Sequence, residues 1–163
     1  MAISFAYRPN IVRWPEWIGA QAANFAVMLA NKLVVVIDAD APMGVALNAA
    51  ALLGVGLGSH VSELVGEDSR DGSGGDHPGI CVHPIPVLKA DAVRLRELRE
   101  AAAARDGVAV HDINQVARTS RTYEQYLATM SGTKEKDLEY TGLAIYGPRR
   151  AVDSLTGALA LYR

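Results

Sequence analysis

Residues 32–58, KLVVVIDADAPMGVALNAAALLGVGLG, hold the pattern that decides the fold. The first eight are mostly β-branched or aliphatic, which indicates a strand buried on both faces. Asp40 and Pro42 then mark a helix start, because an acidic residue and a proline are favoured there. Residues 43–53 are rich in alanine and leucine, and the glycines at 54, 56 and 58 are expected to loosen or end the helix. The stretch therefore predicts a strand that leads directly into a helix.

Further strands and helices alternate along the chain. Asp91 is a predicted cap for a helix that runs to residue 105. The predicted strands are 85–90, 108–113, 140–146 and 158–162, and the other predicted helices are an insertion at 118–130 and a last helix at about 147–155. Alternation of this kind predicts a single α/β domain, residues 32–163, with helices on both faces of a small, mainly parallel sheet.

Two segments stand outside this alternation. Residues 66–79, GEDSRDGSGGDHPG, are polar and glycine-rich, which is typical of a mobile loop. The loop is either a connector or a cover for a binding site. Residues 1–31 contain Trp14 and Trp17 and are predicted to form an N-terminal helical extension, which packs on the domain or on a second subunit.

Composition excludes several classes of protein. The net charge of −2 over 163 residues gives no electrostatic support for a nucleic-acid binder. The single cysteine, Cys81, rules out a disulfide framework or a cysteine-based zinc site within the chain. No apolar run is expected to reach the length of a membrane span, about 18–20 residues. Residues 1–10 lack the pattern of a secretory signal, so we expect a cytoplasmic protein without membrane contact.

No cofactor or metal is expected. The four histidines, at 60, 77, 83 and 111, lack metal-ligand spacing. The GVGLG run that begins at Gly54 lies at a helix end rather than between a strand and a helix. It is therefore no dinucleotide-binding fingerprint.

A few polar residues are candidates for a binding site. Asp40 and Gly44 lie at a helix N-terminus after a strand, where small anionic groups often bind, although Asp40 could simply cap the helix. Asn48 is the only polar side chain between Val45 and Leu57, and either contacts a ligand or satisfies the backbone. Asp112 follows His111 at a strand end and is a candidate base, ligand-orienting group or helix cap. Alternation along the strand points these two side chains to opposite faces.

Three segments together resemble the type-two peptidyl-tRNA hydrolase superfamily. They are residues 32–58, residues 85–113 and residues 142–163, GLAIYGPRRAVDSLTGALALYR. The similarity is closest to a bacterial branch of that superfamily labelled as a domain of unknown function. The resemblance implies a three-layer α/β/α fold around a small mixed sheet, and it allows a homodimer.

The residues that carry the chemistry of that superfamily are largely replaced. The hydrolases have lysines around the Met-Gly pair, whereas here Pro42, Val45 and their neighbours contain none. The resemblance matches Asp112 to an aspartate of the hydrolases, and Thr119 to a displaced threonine. Residues 32–80 carry two basic and seven acidic side chains, a net charge of −5 that would repel tRNA.

The sequence therefore predicts a protein that binds a small molecule or a peptide terminus without hydrolysing peptidyl-tRNA. The predicted site is a crevice formed by residues 40–48 and Asp112, with residues 66–79 as its cover. Two alternatives stay open. One is an amide or ester hydrolase that uses Asp112, residual peptidyl-tRNA hydrolysis included. The other is a dimeric regulatory or scaffold protein that uses the Trp14/Trp17 segment.

Overall fold

A computed structural model describes residues 30–163, and the helix predicted in the N-terminal extension lies outside this range. Within it, five strands form one mixed sheet in the order β5-β6-β1-β4-β7. A separate two-stranded hairpin, β2–β3, lies between the first helix and β4. The strands are β1 (Asn31–Asp38), β2 (Ser69–Arg70), β3 (Asp76–His77), β4 (Val87–Ala90), β5 (Ala109–Asn114), β6 (Tyr140–Pro148) and β7 (Ala160–Leu161).

Helices cover both faces of the sheet. The described α-helices are α1 (Met43–His60), α2 (Ala92–Ala103), α3 (Gln115–Thr119), α4 (Tyr123–Gly132) and α5 (Arg149–Thr156), and 3-10 turns lie at Ser62–Leu64 and Glu135–Asp137. Leu33, Val35 and Ile37 of β1 pack with α1 in one buried cluster, whereas Val34 and Val36 pack with α2 and α5 in another. The predicted burial of β1 on both faces is confirmed, because successive side chains alternate between two apolar layers.

The prediction of a mainly parallel sheet is wrong. Among the described strands of the sheet, only β1 and β4 form a parallel pair, whereas the pairs β1–β6, β5–β6 and β4–β7 are antiparallel. A parallel neighbour requires a crossover that carries the chain back along the sheet. Residues 115–139 instead fold beside the β5 edge, in a segment that includes α3 and α4, and return the chain to the end of β5, where Asn114 pairs with Tyr140. Consequently β6 starts at the end of the sheet where β5 finishes and runs antiparallel to it.

The predicted end of the first helix is also wrong, because α1 continues through Gly54, Gly56 and Gly58 to His60. A glycine inside a helix costs about 1 kcal/mol relative to alanine. Burial of a leucine contributes about 1.5–3 kcal/mol, and Leu57 is buried beyond the first two glycines. Packing on the sheet therefore outweighs the local preference.

The full length of α1 changes the expectation about apolar runs. By length and composition alone, α1 could cross a membrane, with a mean hydropathy of 1.3. The sequence expectation that no stretch reaches that length is therefore wrong at α1. Its buried side chains, Ala46, Ala49, Leu53 and Leu57, pack against the sheet.

The predicted insertion at 118–130 consists of two short helices rather than one. Asn114 begins α3, since its Oδ1 accepts hydrogen bonds from the amides of Val116 and Ala117 at 3.1 and 3.4 Å. Thr122 begins α4, since its Oγ1 accepts from the Gln125 amide at 3.2 Å. These side-chain caps satisfy amides that have no partner within a helix. They place α3 and α4 at the β5 edge of the sheet.

Candidate functional site

A groove runs beside β5, between α1 on one side and α3 and α4 on the other. Its cavity has a volume of about 520 Å³. The floor is apolar, with Leu52 and Val55 from α1, Ile113 from β5 and Ala117 from α3. We call this cavity the β5 groove. Its size falls within the range of about 300–1,000 Å³ that is usual for ligand sites.

Polar groups and aromatic rings form the opposite rim of the β5 groove. Arg121 and Thr122 come from the turn between α3 and α4, and Tyr123 and Tyr126 come from α4. The two tyrosine rings lie 5.6 Å apart between centroids. Tyr126 and Met130 also pack against the apolar layer under α2, which anchors α4 at the sheet edge. The groove therefore combines an apolar floor with a rim that offers a guanidinium and phenol groups.

A side pocket of about 30 Å³ adjoins the β5 groove and shares Leu52, Ile113 and Ala117 with it. The pocket adds Asn48 of α1 and Arg118 of α3 to the lining. Its volume suits about one water molecule. Among the predicted binding residues, Asn48 is thus the one that the structure places beside a cavity.

Arg118 and Arg121 have no side-chain hydrogen bond or ion pair in the part of the chain that the structure describes. Other arginines are paired, as Arg94 is with Glu97 at 2.9 Å and Arg99 is with Glu135 at 2.6 Å. A guanidinium carries five donors in a planar fork that matches a carboxylate or phosphate. The groove therefore has two cations with unused donors at its rim.

A histidine pair lies next to the groove, under Gly56. The rings of His60 and His111 are 4.8 Å apart. A Cβ atom at Gly56 would lie 3.3 Å from Nδ1 of His111, so the glycine permits this close approach of α1 to β5. Burial, and next the charge of His60, lower the pKa of His111, whereas the charge of Asp112 opposes that shift.

Asp112 lies on the other face of the sheet, as the alternation with His111 predicts. Its Oδ2 is 3.5 Å from Nε of Arg99 on α2, and its Oδ1 accepts a hydrogen bond from Nδ2 of Asn114 at 3.3 Å. The sheet thus separates Asp112 from Asn48 and from the start of α1. Burial, and next the charge of Asp112, raise the pKa of Tyr126, which lines the groove.

The other predicted binding residues lie outside the groove. The amide of Asp40 donates to Oδ1 of Asp38 at 3.2 Å, and Pro42 rather than Asp40 occupies the N-cap of α1. Gly44 is exposed in the first turn of α1, with no atom within 4 Å of a Cβ built there. Thr119 donates its hydroxyl to the carbonyl oxygen of Gln115 at 2.9 Å, within its own helix. The structure therefore does not bring Asp40, Gly44, Asn48, Thr119 and Asp112 together.

The glycine-rich segment 66–79 contains an ordered turn. Oδ1 of Asp71 accepts from the amides of Ser73 and Gly75 at 2.7 and 3.0 Å, and its Oδ2 lies 3.1 Å from Nε2 of His77. The hydrogen bond from His77, ahead of those from the backbone, lowers the pKa of Asp71. None of the residues that line the β5 groove comes from this segment, so it does not cover the groove.

A second cavity of about 430 Å³ lies on the other side of α1, against β1 and β4. Its lining is almost entirely aliphatic and includes Leu33, Leu57, Val87 and the thiol-bearing Cys81. A buried imidazole, His83, sits edge-to-face on Tyr146 with 5.4 Å between ring centroids, and its Nε2 has no hydrogen-bond partner within residues 30–163. Among the described residues, no group of three or more histidine, cysteine or acidic side chains could hold a metal ion.

Sequence reasoning missed the β5 groove because its walls come from distant segments. The signals available were the aromatic residues at 123 and 126 and the arginines at 118 and 121. Nothing local to that segment indicates that α1 lies opposite. Only the order of the strands places β5 at the edge, where the groove is open to solvent.

Comparison with known proteins places the fold without assigning an activity. No curated protein is significantly similar to this sequence. The solved structure of a protein of unknown function from Agrobacterium tumefaciens strain C58 has 23% sequence identity and a TM-score of 0.75. The match covers 82% of this chain and 98% of the other, and at this identity it shows the fold alone. Residues 31–163 match the family described as "Protein of unknown function (DUF2000)". The expected similarity to a bacterial domain of unknown function is thus confirmed, and the chain belongs to the DUF2000 family.

Proposed function

We propose that the protein binds a small molecule or the terminus of a peptide in the β5 groove. The observation that carries this proposal is a cavity of about 520 Å³ with an apolar floor and few polar groups at one rim. Ligand sites commonly have this composition, because apolar walls supply affinity and a few polar groups fix the orientation. Compared with the site predicted from sequence, the proposed location keeps Asn48 at the margin and excludes Asp112.

The contacts in the groove favour binding over hydrolysis. Both aliphatic hydroxyl groups among the described lining residues are engaged: Ser120 donates to the carbonyl oxygen of Val116 at 2.8 Å, and Thr122 caps α4. A hydroxyl nucleophile needs an adjacent base, and no carboxylate or imidazole is among the described residues that line the cavity. Asp112 is engaged with Arg99 on the other face of the sheet. Peptidyl-tRNA is a poor candidate ligand because residues 32–80 carry a net charge of −5.

We also propose that the domain is a divergent relative of the type-two peptidyl-tRNA hydrolases. Support comes from two junctions between a strand and a helix: the Met43–Gly44 pair after β1, and the Gly147–Pro148 pair before α5. Helices on both faces of a mixed sheet are compatible with that relationship. The missing lysines imply that any shared ancestry did not preserve the reaction.

Thermal unfolding against a library of metabolites, short peptides and tRNA tests the binding proposal. A compound that binds only the folded protein raises its Tm. Val55→Trp fills the groove from α1 without touching the core, since Val55 is 74% exposed. Val93→Trp on α2 is the matched control, because Val93 is 70% exposed on the opposite face of the sheet.

We expect at least one ligand class to raise the Tm of the wild type and of Val93→Trp. We expect that shift to be lost in Val55→Trp. A ligand that stabilises both variants equally would place its site elsewhere. Stabilisation by tRNA alone would instead favour the hydrolase alternative.

A second candidate function is supported by the outer face of α1. Met43 and Leu47 are 76% and 66% exposed, and residues 43–59 contain no charged side chain. An uncharged apolar face can pack on its own symmetric copy without an unpaired charge. We therefore propose a second copy of this chain as the occupant of that face. The Trp14/Trp17 segment considered for this role lies outside the described residues.

The oligomeric state of the full chain tests this second candidate. Leu47→Glu places a charge in the apolar face and is expected to convert a dimer to a monomer in analytical ultracentrifugation. Val93→Glu, an exposed site on the opposite face, is expected to leave the dimer intact. A wild type that is monomeric at high concentration would contradict the proposal. Flotation with lipid vesicles would then identify a membrane surface as the occupant.

A further inference from the structure

The rim of the β5 groove has an excess of unpaired positive charge. Arg121 borders the main cavity and Arg118 borders the side pocket, and the two cavities share three lining residues. Neither guanidinium has a partner among the described residues. Paired arginines elsewhere in the chain hold α2 to its neighbours, as when Arg96 donates to the carbonyl oxygens of Glu135 and Leu138. Arg118 and Arg121 form no such contact with the part of the chain that the structure describes.

The nearby carboxylates do not neutralise these two cations. Glu124, at the start of α4, is bonded to its own backbone amide and to the hydroxyl of Thr122, and these hydrogen bonds lower its pKa. Its charge is thus directed at the helix N-terminus, where a carboxylate is favoured. Asp112 lies on the other face of the sheet, 3.5 Å from Nε of Arg99. The groove consequently presents two guanidinium groups and an apolar floor to a ligand.

We infer that the ligand of the β5 groove is a small amphipathic carboxylate whose charged group is held by Arg118 and Arg121. This inference rests on the proposed binding function and adds the chemical class of the ligand. An aliphatic or aromatic body would cover Leu52, Val55 and Ile113. A carboxylate suits the two arginines because it accepts two parallel N–H···O bonds from one guanidinium. A free organic acid and the C-terminus of a peptide share this chemistry.

Matched probes that differ only in charge test the inference. The first set is 4-phenylbutyric acid, its uncharged carboxamide and 4-phenylbutylamine. The second set is the dipeptide N-acetyl-alanyl-phenylalanine with a free or an amidated C-terminus. Affinities are measured by chemical-shift titration of the full chain at low salt. Three variants are compared with the wild type: the double variant Arg118→Gln/Arg121→Gln, the groove-filling Val55→Trp, and the control Arg150→Gln. Arg150 is an exposed residue of α5 on the opposite face of the sheet.

We expect at least one of the acids to bind about 10- to 100-fold more tightly than its amide, as a charge-assisted hydrogen bond of about 1.5–3 kcal/mol implies. In the double arginine variant, the affinity for the acid should fall to the level of the affinity for the amide. The affinity for the amide itself should not change. Arg150→Gln should change neither the affinity for the acid nor that for the amide. Added salt should weaken the binding of the acid and leave the binding of the amide unchanged. Comparison of the two probe sets then shows whether a free acid or a peptide terminus is preferred.

Two results would overturn the inference, and they differ in what they mean for the proposed function. If acid, amide and amine bind alike, and only Val55→Trp removes binding, the groove binds ligands but does not select carboxylates. If no acid in either set binds the wild type while other compounds bind the groove, the ligand class is wrong and the groove function stands. If nothing binds at the groove in either this experiment or the library screen, both proposals fail.

Discussion

At the scale of single residues, two histidines are held where protonation is unfavourable. Burial is the main cause in both, and the positive charge of Arg149 adds to it at His83, as that of His60 does at His111. Both pKa values therefore lie below the ordinary value of 6.5. As the pH falls from 6.5 through the lower pKa of the folded protein, the unfolded chain binds more protons than the folded one, so folding stability is lost.

We therefore expect the free energy of unfolding to decrease below about pH 6.5. His83→Gln and His111→Gln should each make this decrease shallower, because each removes one group that the unfolded state protonates first. Urea unfolding at a series of pH values measures the slope. Slopes as steep in both variants as in the wild type would show that other groups control the acid sensitivity.

The same residues show what sequence could predict at this scale. That His111 and Asp112 point to opposite faces follows from strand alternation alone, and the structure confirms it. Their partners could not be predicted from the strand itself. His111 meets His60 of α1, whereas Asp112 meets Arg99 of α2, and these two helices lie on opposite faces of the sheet. Asp112 consequently looked like part of a crevice with Asn48, although the sheet lies between them.

At the scale of elements, the glycines of α1 give a matched comparison within one helix. A Cβ at Gly54 would have no atom within 4 Å, whereas one at Gly56 would lie 3.3 Å from Nδ1 of His111. Gly54→Ala should therefore raise the free energy of unfolding by about 0.5–1 kcal/mol, because alanine reduces the entropy of the unfolded chain and favours helix. Gly56→Ala should gain less or lose stability, because the imidazole must move.

Urea midpoints of the two variants measure this difference. An equal increase in the free energy of unfolding in both variants would mean that the His111 ring moves aside without loss of stability. A loss of stability in Gly54→Ala would mean that α1 stops near the first glycine, as the sequence predicts, rather than running on to His60.

Elements were predicted better than their arrangement. β1, the Asp91-capped α2 and the long strand β6 lie close to their predicted positions, because hydrophobic periodicity and capping residues are local signals. The direction of β6 is not a local property. It depends on residues 115–139, which fold beside β5 and return the chain to the Asn114–Tyr140 pair, and no periodicity in residues 140–148 reports that.

At the scale of the whole molecule, the sheet divides the apolar interior into two layers that do not touch. Leu53 of α1 lies in one and Leu98 of α2 lies in the other, and both are fully buried. Two features of the sequence predict these two layers: the apolar run of β1 and the alternation of strands with helices. Mutations in separate layers should act independently, since additivity holds for sites without shared partners.

Leu53→Ala and Leu98→Ala should each lower the free energy of unfolding by about 2–5 kcal/mol, and the double variant should lose the sum to within about 0.5 kcal/mol. If the leucine double variant does not fold, a milder double-mutant cycle uses Ile37→Val and Ile145→Val, which also lie on opposite faces. Each of these should lower the free energy of unfolding by about 0.5–1.5 kcal/mol. Leu53→Ala with Ile37→Val is the control, because both side chains approach Gly142 within one layer and should couple. Strong coupling between Leu53 and Leu98, with none between Leu53 and Ile37, would contradict the two-layer core. It would mean that the sheet transmits the loss of packing from one face to the other.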